Sequence, residues 1–329
     1  MPMTRLRMAV PPLRSARSWR RGRPAARAPV TRRAAAAWRM GHAGGMEPED
    51  YCTARAAPPG SSLHYALRGT APAARRALLA VHALRRELEA VPLECRDPGV
   101  ALAKLGWWRE ELSTLTGGEP RHPVTRALAR AAADFALPRD PLEGMVEAVA
   151  ELVRGGPPHD TAALERHCAR TGGAAGLVGA QALGWREPAT LDAALACGTA
   201  MALVEHLQDV GAEARAGRIL LPRALMERHG IRAVDLTRVP APEGVRAALA
   251  ELGALAEGAW RGALARLPER DRPAQRPHWV LGALHLALLA EMARDGWRLT
   301  ERRVALTPIR KLWIAWRATR GLRRAARAA

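Results

Sequence analysis

The sequence predicts an all-α fold, and three observations carry that prediction. Ala and Leu dominate a hydrophobic content of 48%, while Phe occurs once and β-branched residues are sparse; that composition favours helix over strand. Apolar residues recur at three- and four-residue spacing through most of the chain after Pro72, the signature of amphipathic helices. No segment alternates polar and apolar residues between hairpin-type turns. With 329 residues, the chain is long enough to bury a sizeable core.

The elements follow in order. Met46-Glu-Pro-Glu-Asp-Tyr51, after Gly44-Gly45, reads as a helix opening. From Pro72 a helix carries Ala74, Leu78, Leu79, Val81, His82, Leu84, Arg85, Leu88 and Val91, and Pro92 is expected to close it. Asp97-Pro98 starts another through Ala101, Leu105, Trp108 and Leu112, ending near Thr116-Gly-Gly. Further helices are predicted at roughly 122–135, 139–154, 160–170, 174–184, 188–213, 243–266 and 276–297. The linkers are too short to separate two folding units, so one domain is expected over 46–320, with a basic tail at 321–329.

The net charge of +19 is unevenly spread. Residues 1–45 hold eleven arginines and no acid, residues 302–329 hold nine basic residues and no acid, and the segment between them carries −1. A near-neutral body without a reading motif excludes a nucleic-acid binder, so no nucleic-acid partner is expected. Residues 1–45 have the Arg-rich, acid-free character of a transit peptide but lack the apolar core of a secretory signal. They are expected to be a disordered or spurious extension, with Met46 as the natural start. Cys52, Cys95, Cys168 and Cys197 are widely spaced, with no C-x-x-C pairing, and no apolar run reaches the roughly 18 residues of a membrane span. Both point to a reduced, cytoplasmic protein.

Two stretches bear on function. Glu205, Asp209 and Glu213 stand four apart and form one acidic stripe on a helix, followed by Arg215 and Arg218. Like charges so spaced cost an isolated helix about 0.2–0.5 kcal/mol per pair. Either a solvated face tolerates that cost, or a divalent cation removes it. Near the C-terminus, Leu306-Thr-Pro-Ile-Arg-Lys-Leu-Trp313-Ile-Ala-Trp316-Arg-Ala-Thr-Arg320 is amphipathic, with two tryptophans among basic residues. That pattern suits a peripheral contact at the inner face of the membrane, or a helix that docks both tryptophans on the core.

Motifs spread over about 48–320 resemble the squalene/phytoene synthase family, close to its presqualene-diphosphate-forming bacterial branch. They are Gly60-Ser61-Ser62-Leu-His-Tyr65, Arg75-Arg76-Ala77, Ala83-Leu-Arg-Arg86-Glu87, Asp97-Pro98-Gly99, Ala103-Lys104-Leu-Gly-Trp107-Trp108-Arg109-Glu110, Leu164-Glu-Arg-His-Cys168, Asp209-Val-Gly-Ala-Glu213-Ala-Arg-Ala-Gly-Arg218, Ala293-Arg-Asp-Gly-Trp-Arg298 and Leu306–Trp316. The resemblance implies a single-domain isoprenoid-synthase-type bundle around a central cavity. It implies head-to-head condensation of two isoprenyl (farnesyl-type) diphosphates with release of diphosphate, assisted by Mg²⁺, and NADPH only where the reaction proceeds to squalene. Mg²⁺ takes octahedral oxygen ligands shared between carboxylates and substrate phosphates, and cationic side chains neutralise the leaving group.

Carried over residue by residue, the resemblance assigns Asp209, Glu213, Glu205 and Glu89 to the metal. It assigns Arg86, Arg215, Arg218, Lys311, Ser62 and Tyr65 to the diphosphate. The first acidic motif is eroded: in Arg86-Glu87-Leu88-Glu89-Ala90-Val91-Pro92-Leu93-Glu94, Ala90 and Leu93 stand where the family has aspartates, and Pro92 is expected to disturb the helix that aims them. In the second motif Asp209 is kept, Glu213 replaces the last aspartate and Ala212 the intervening acid, while Glu205 adds a carboxylate. Family tyrosines become His82 and His285, expected as ordinary polar core or rim residues; Trp107 and Trp108 are expected to pack. Two functions follow: an active prenyl transferase, or a non-catalytic or weakened paralogue that keeps the helical body and binds an isoprenoid or a protein partner, as assembly factors of the wider family do.

Overall fold

The computed structural model describes residues 46–328; the extension expected at 1–45 lies outside them. The helices, in chain order, are α1 (Pro48–Ala56), α2 (Ser62–Ala66), α3 (Pro72–Glu94), α4 (Pro98–Ser113), α5 (Pro123–Asp134), α6 (Arg139–Gly155), α7 (Thr161–Cys168), α8 (Ala174–Leu183), α9 (Ala189–Arg215), α10 (Arg223–Arg228), α11 (Glu243–Arg266), α12 (Arg276–Arg294) and α13 (Pro308–Ala328). There is no strand among the described residues. The starts follow from capping chemistry: Asp97 accepts from the Val100 amide at 2.9 Å and Asp160 from that of Ala163 at 2.7 Å, each satisfying an amide that helix geometry leaves without a partner.

The expected closure at Pro92 does not occur, and α3 continues to Glu94. Pro92 gives up a single intrahelical bond in the final turn, and the Cys95 amide closes that turn on Val91 O at 3.0 Å. A proline is costly in a helix interior, where more turns would have to follow it. Glu89, Ala90 and Leu93 therefore keep their helical register.

Two long helices organise the core. α9 packs against α8, α11, α12 and the π-helical turn Ala169–Gly173 that joins α7 to α8. α3 packs against α1, α5, α6 and α8. The backbone of α9 comes within contact of that π turn at Gly198, where a Cβ would lie 2.0 Å from the Gly172 carbonyl oxygen. Only hydrogen fits there. Further along α9, a Cβ on Gly211 would lie 2.7 Å from the Thr300 Cα. That gap lets the segment after α12 lie directly on α9, and it brings Arg303 to the acidic stripe.

The core is Leu, Ala and Val from nearly every helix, with Trp108 and Trp260 wholly buried. Trp107 packs against it. His82 and His285 lie inside, as expected. Burial first, then the Arg85 charge, lowers His82 to about 3; burial likewise lowers His285 to about 4 despite the opposing charge of Glu205. Both are neutral at physiological pH. The cysteines are unpaired thiols, three of them buried.

Candidate functional site

α3 and α9 face each other across a cleft of about 280 Å³. Glu89, Ala90 and Leu93 line one wall, and Glu205, Asp209 and Glu213 line the other. The two acidic motifs thus oppose each other as the sequence resemblance implies. What differs is the company each carboxylate keeps.

Glu205 receives two guanidinium groups. Arg85, which is 2% exposed, donates from Nη2 to Glu205 Oε2, and Arg86 donates from Nη2 to Oε1 at 2.6 Å. Arg85 also donates from Nη1 to Glu89 Oε1 at 3.2 Å, and Arg86 Nη1 lies 3.6 Å from Glu89 Oε2. The four side chains form a closed cage with two positive and two negative charges. Burial opposes the charge on Glu205, but Arg85 and Arg86 outweigh it and hold its carboxyl well below the usual carboxylate range.

The other two acids are also engaged. Asp209 accepts from Arg303 Nε at 2.6 Å. Glu213 pairs with His206 Nδ1 at 3.1 Å and lies 3.8 Å from Arg218 Nη2. Burial works against a charged imidazole, but the Glu213 carboxylate and its hydrogen bond push His206 up to about 10. His206 is therefore an imidazolium that donates to Glu213. Its neighbour His167, with ring centroids 6.0 Å apart, is lowered to about 3 by burial and then by the His206 charge. Arg218 closes the cleft floor by donating from Nη1 to the Glu89 carbonyl at 2.8 Å.

Of the expected diphosphate residues, Arg86 and Arg218 line the cleft. Arg215 instead donates to Thr300 O at 3.0 Å, and Lys311 to Gly60 O at 2.7 Å. Ser62 begins α2, and Tyr65 is buried on a separate groove beside α13. Glu87 and Glu94 point elsewhere: Tyr51 and Arg55 bind Glu87 at 2.7 and 2.8 Å, and Lys104 binds Glu94 at 2.7 Å.

Arg85, His206 and Arg303 were not among the expected site residues. The Arg85–Glu89 pair has the i,i+4 spacing of a helical ion pair and was readable from sequence. The partners of Glu205 and Asp209 come from 120 and 94 positions away, and no local pattern announces them.

As arranged, the carboxylates do not fit Mg²⁺. Mg²⁺ takes oxygen ligands in octahedral array; here each of the four acids has a cationic partner, so the ion would compete with arginines and His206 for them, although Asp209 meets Arg303 through only one carboxylate oxygen. Among the described residues no three His, Cys, Asp or Glu side chains converge in a way that could hold a metal ion. Behind the cleft, the apolar pocket among Leu164, Leu203, Leu207 and Leu249 is about 20 Å³, room for about one water molecule.

Long helices around a cleft with opposed acidic motifs define the class: an α-helical isoprenoid-synthase fold. Residues 56–310 match the model of squalene/phytoene synthase, and the chain belongs to that family. It is 32% identical over 224 residues to a phytoene synthase of Rhodobacter capsulatus, covering 67% of this chain and 64% of that one. It is 24% identical over 266 residues to a presqualene diphosphate synthase of Zymomonas mobilis, covering 78% and 88%. The match thus spans a little under two thirds of the phytoene synthase's own length. The fold resembles a ligand-bound dehydrosqualene synthase, with a TM-score of 0.70 at 21% identity over 84% of this chain and 96% of that one. It also resembles a squalene synthase of Alicyclobacillus acidocaldarius, with a TM-score of 0.63 at 22% identity over 76% and 94%.

Proposed function

We propose that this protein is a non-condensing member of the squalene/phytoene synthase family, in which the helical body serves as an assembly-factor-like binding scaffold. One observation carries the proposal: at the cleft Glu205 and Glu89 are held by Arg85 and Arg86, Asp209 by Arg303 and Glu213 by His206. A metal at this cleft must displace Arg85 and Arg86 from Glu205 and Glu89, and that competition opposes its binding. Ala90 and Leu93 remove two further ligands from the wall that Glu89 occupies.

A second function, Mg²⁺-assisted head-to-head condensation of two farnesyl-type diphosphates, is favoured by one specific arrangement: Arg86, Arg218 and Asp209 stand at a single cleft. It requires Glu205 and Glu89 to exchange their arginines for metal. Incubating the full chain with labelled farnesyl diphosphate and Mg²⁺, with and without NADPH, separates the two functions. The scaffold function predicts no release of diphosphate at micromolar protein.

A further inference from the structure

The resemblance assigns Tyr65 to a diphosphate, yet Tyr65 lies on a different groove, between α2, the start of α12 and α13. The groove is about 600 Å³, twice the acidic cleft. Arg68, Arg276, Arg320, Arg323 and Arg324 line it, and no carboxylate does. Burial first, and then the charge of Arg323, lowers the Arg276 guanidinium from its ordinary value. Positive charge in this groove is therefore uncompensated, whereas in the acidic cleft arginines meet carboxylates.

The same helix carries a second, independent feature. Ile309, Leu312, Trp313 and Trp316 fall at helical spacing on one face of α13 and are 81%, 45%, 53% and 54% exposed. The inner face, through Ala315 and Leu322, is buried. Neither tryptophan is docked on the core. Each indole is instead stacked by a guanidinium one turn further on: Arg317 lies 5.3 Å from the Trp313 ring centroid, and Arg320 5.2 Å from that of Trp316. Along the outward face an apolar first half thus passes into a basic second half that opens on the arginine groove, with Trp316 shared by both.

We infer that α13 and this groove form a docking surface for an anionic phospholipid bilayer, with a lipid phosphate seated among the groove arginines. Guanidinium forks match phosphate oxygens, indoles favour the headgroup level, and exposed Ile and Leu favour the acyl boundary. A polyanion such as RNA would match the arginines but leave Ile309 and Leu312 in water, so charge and apolar face together select the membrane. Among the described residues no helix is long and apolar enough to cross a bilayer; the surface lies on the membrane.

The test uses the full chain with phosphatidylcholine vesicles, with and without 30% phosphatidylglycerol, in flotation. A parallel set of vesicles carries brominated lipids that quench buried tryptophan. Binding is expected only to the anionic vesicles, with quenching that Trp313→Phe/Trp316→Phe removes. Arg68→Glu/Arg323→Glu, one residue from each groove wall, is expected to weaken binding at least tenfold while leaving the far-ultraviolet circular dichroism unchanged. Because residues 1–45 contribute their own arginines, equal binding of wild type and the Arg68→Glu/Arg323→Glu variant would overturn the inference. So would quenching that persists in the double phenylalanine variant, or binding to RNA in place of vesicles.

Discussion

Arg85 of α3 and Glu205 of α9 are hydrogen-bonded across the cleft, although 120 positions separate them in the chain. α3 and α9 carry the two acidic stretches, and a guanidinium holds them together across the cleft. Arg86 and Glu89 complete the link. The cleft is thereby neutralised from within, by residues of the chain itself.

Glu205→Leu removes the acceptor from two guanidinium groups and should destabilise the protein by about 3–5 kcal/mol, because Arg85 is left buried with Glu89 alone. Adding Arg85→Met to Glu205→Leu should recover a substantial part of that loss, since an apolar pair of similar volume tolerates burial. Urea unfolding of these two variants and of Arg85→Met alone completes the double-mutant cycle; losses that simply add would show that Arg85 and Glu205 are not coupled.

The Glu213–His206 pair makes stability depend on pH. His206 is raised from its ordinary 6.5 to about 10, so its contribution is complete below about pH 6.5 and is lost as pH rises toward 10. Glu213 is lowered from 4.5: burial opposes the shift, and the His206 charge and bond outweigh it. Its contribution is present above about pH 4.5 and is lost in acid. The wild type should therefore lose stability between pH 7 and 10 at up to about 1.4 kcal/mol per pH unit from this group, and His206→Gln should lack that slope. Melting temperatures of both proteins across the range measure the difference.

The helical body was legible in the sequence because its signals are local. Asp97 and Asp160 cap the helices they were expected to start, and the apolar spacing of α3, α9, α11 and α12 places their buried faces. Pro92 misled for a local reason as well: a breaker matters less when only two residues of helix follow it. The cleft was half legible. Its carboxylates could be read in register, but Arg303 reaches Asp209 only because Gly211 lets a later segment lie on α9. Whether a carboxylate is a free ligand or one half of an ion pair depends on such long-range approach.

Restoring the missing ligands tests the first motif. Since α3 keeps its register through Pro92, Ala90→Asp with Leu93→Asp places two new carboxylates on the cleft wall beside Glu89. This variant should gain thermal stability in millimolar Mg²⁺, and the wild type should not. A ligand at a hundred times its Kd adds about 2.7 kcal/mol, several degrees in Tm for a chain of this size. An equal Mg²⁺ response in the wild type would show that the caged carboxylates open for the ion.

Gly198→Ala probes the packing that positions α9. The added Cβ would meet the Gly172 carbonyl oxygen at 2.0 Å, so the helix must shift at a cost of about 1–3 kcal/mol. Differential scanning calorimetry should show a lower Tm. An unchanged Tm would mean that the π turn yields freely.

The most direct test of a cleft closed by its own arginines is turnover. Full-length protein at micromolar concentration is incubated with radiolabelled farnesyl diphosphate and Mg²⁺, with and without NADPH, and both diphosphate and apolar products are followed. The ion-pair cage predicts neither above the protein-free control. Mg²⁺-dependent release of diphosphate together with a head-to-head prenyl product would contradict it.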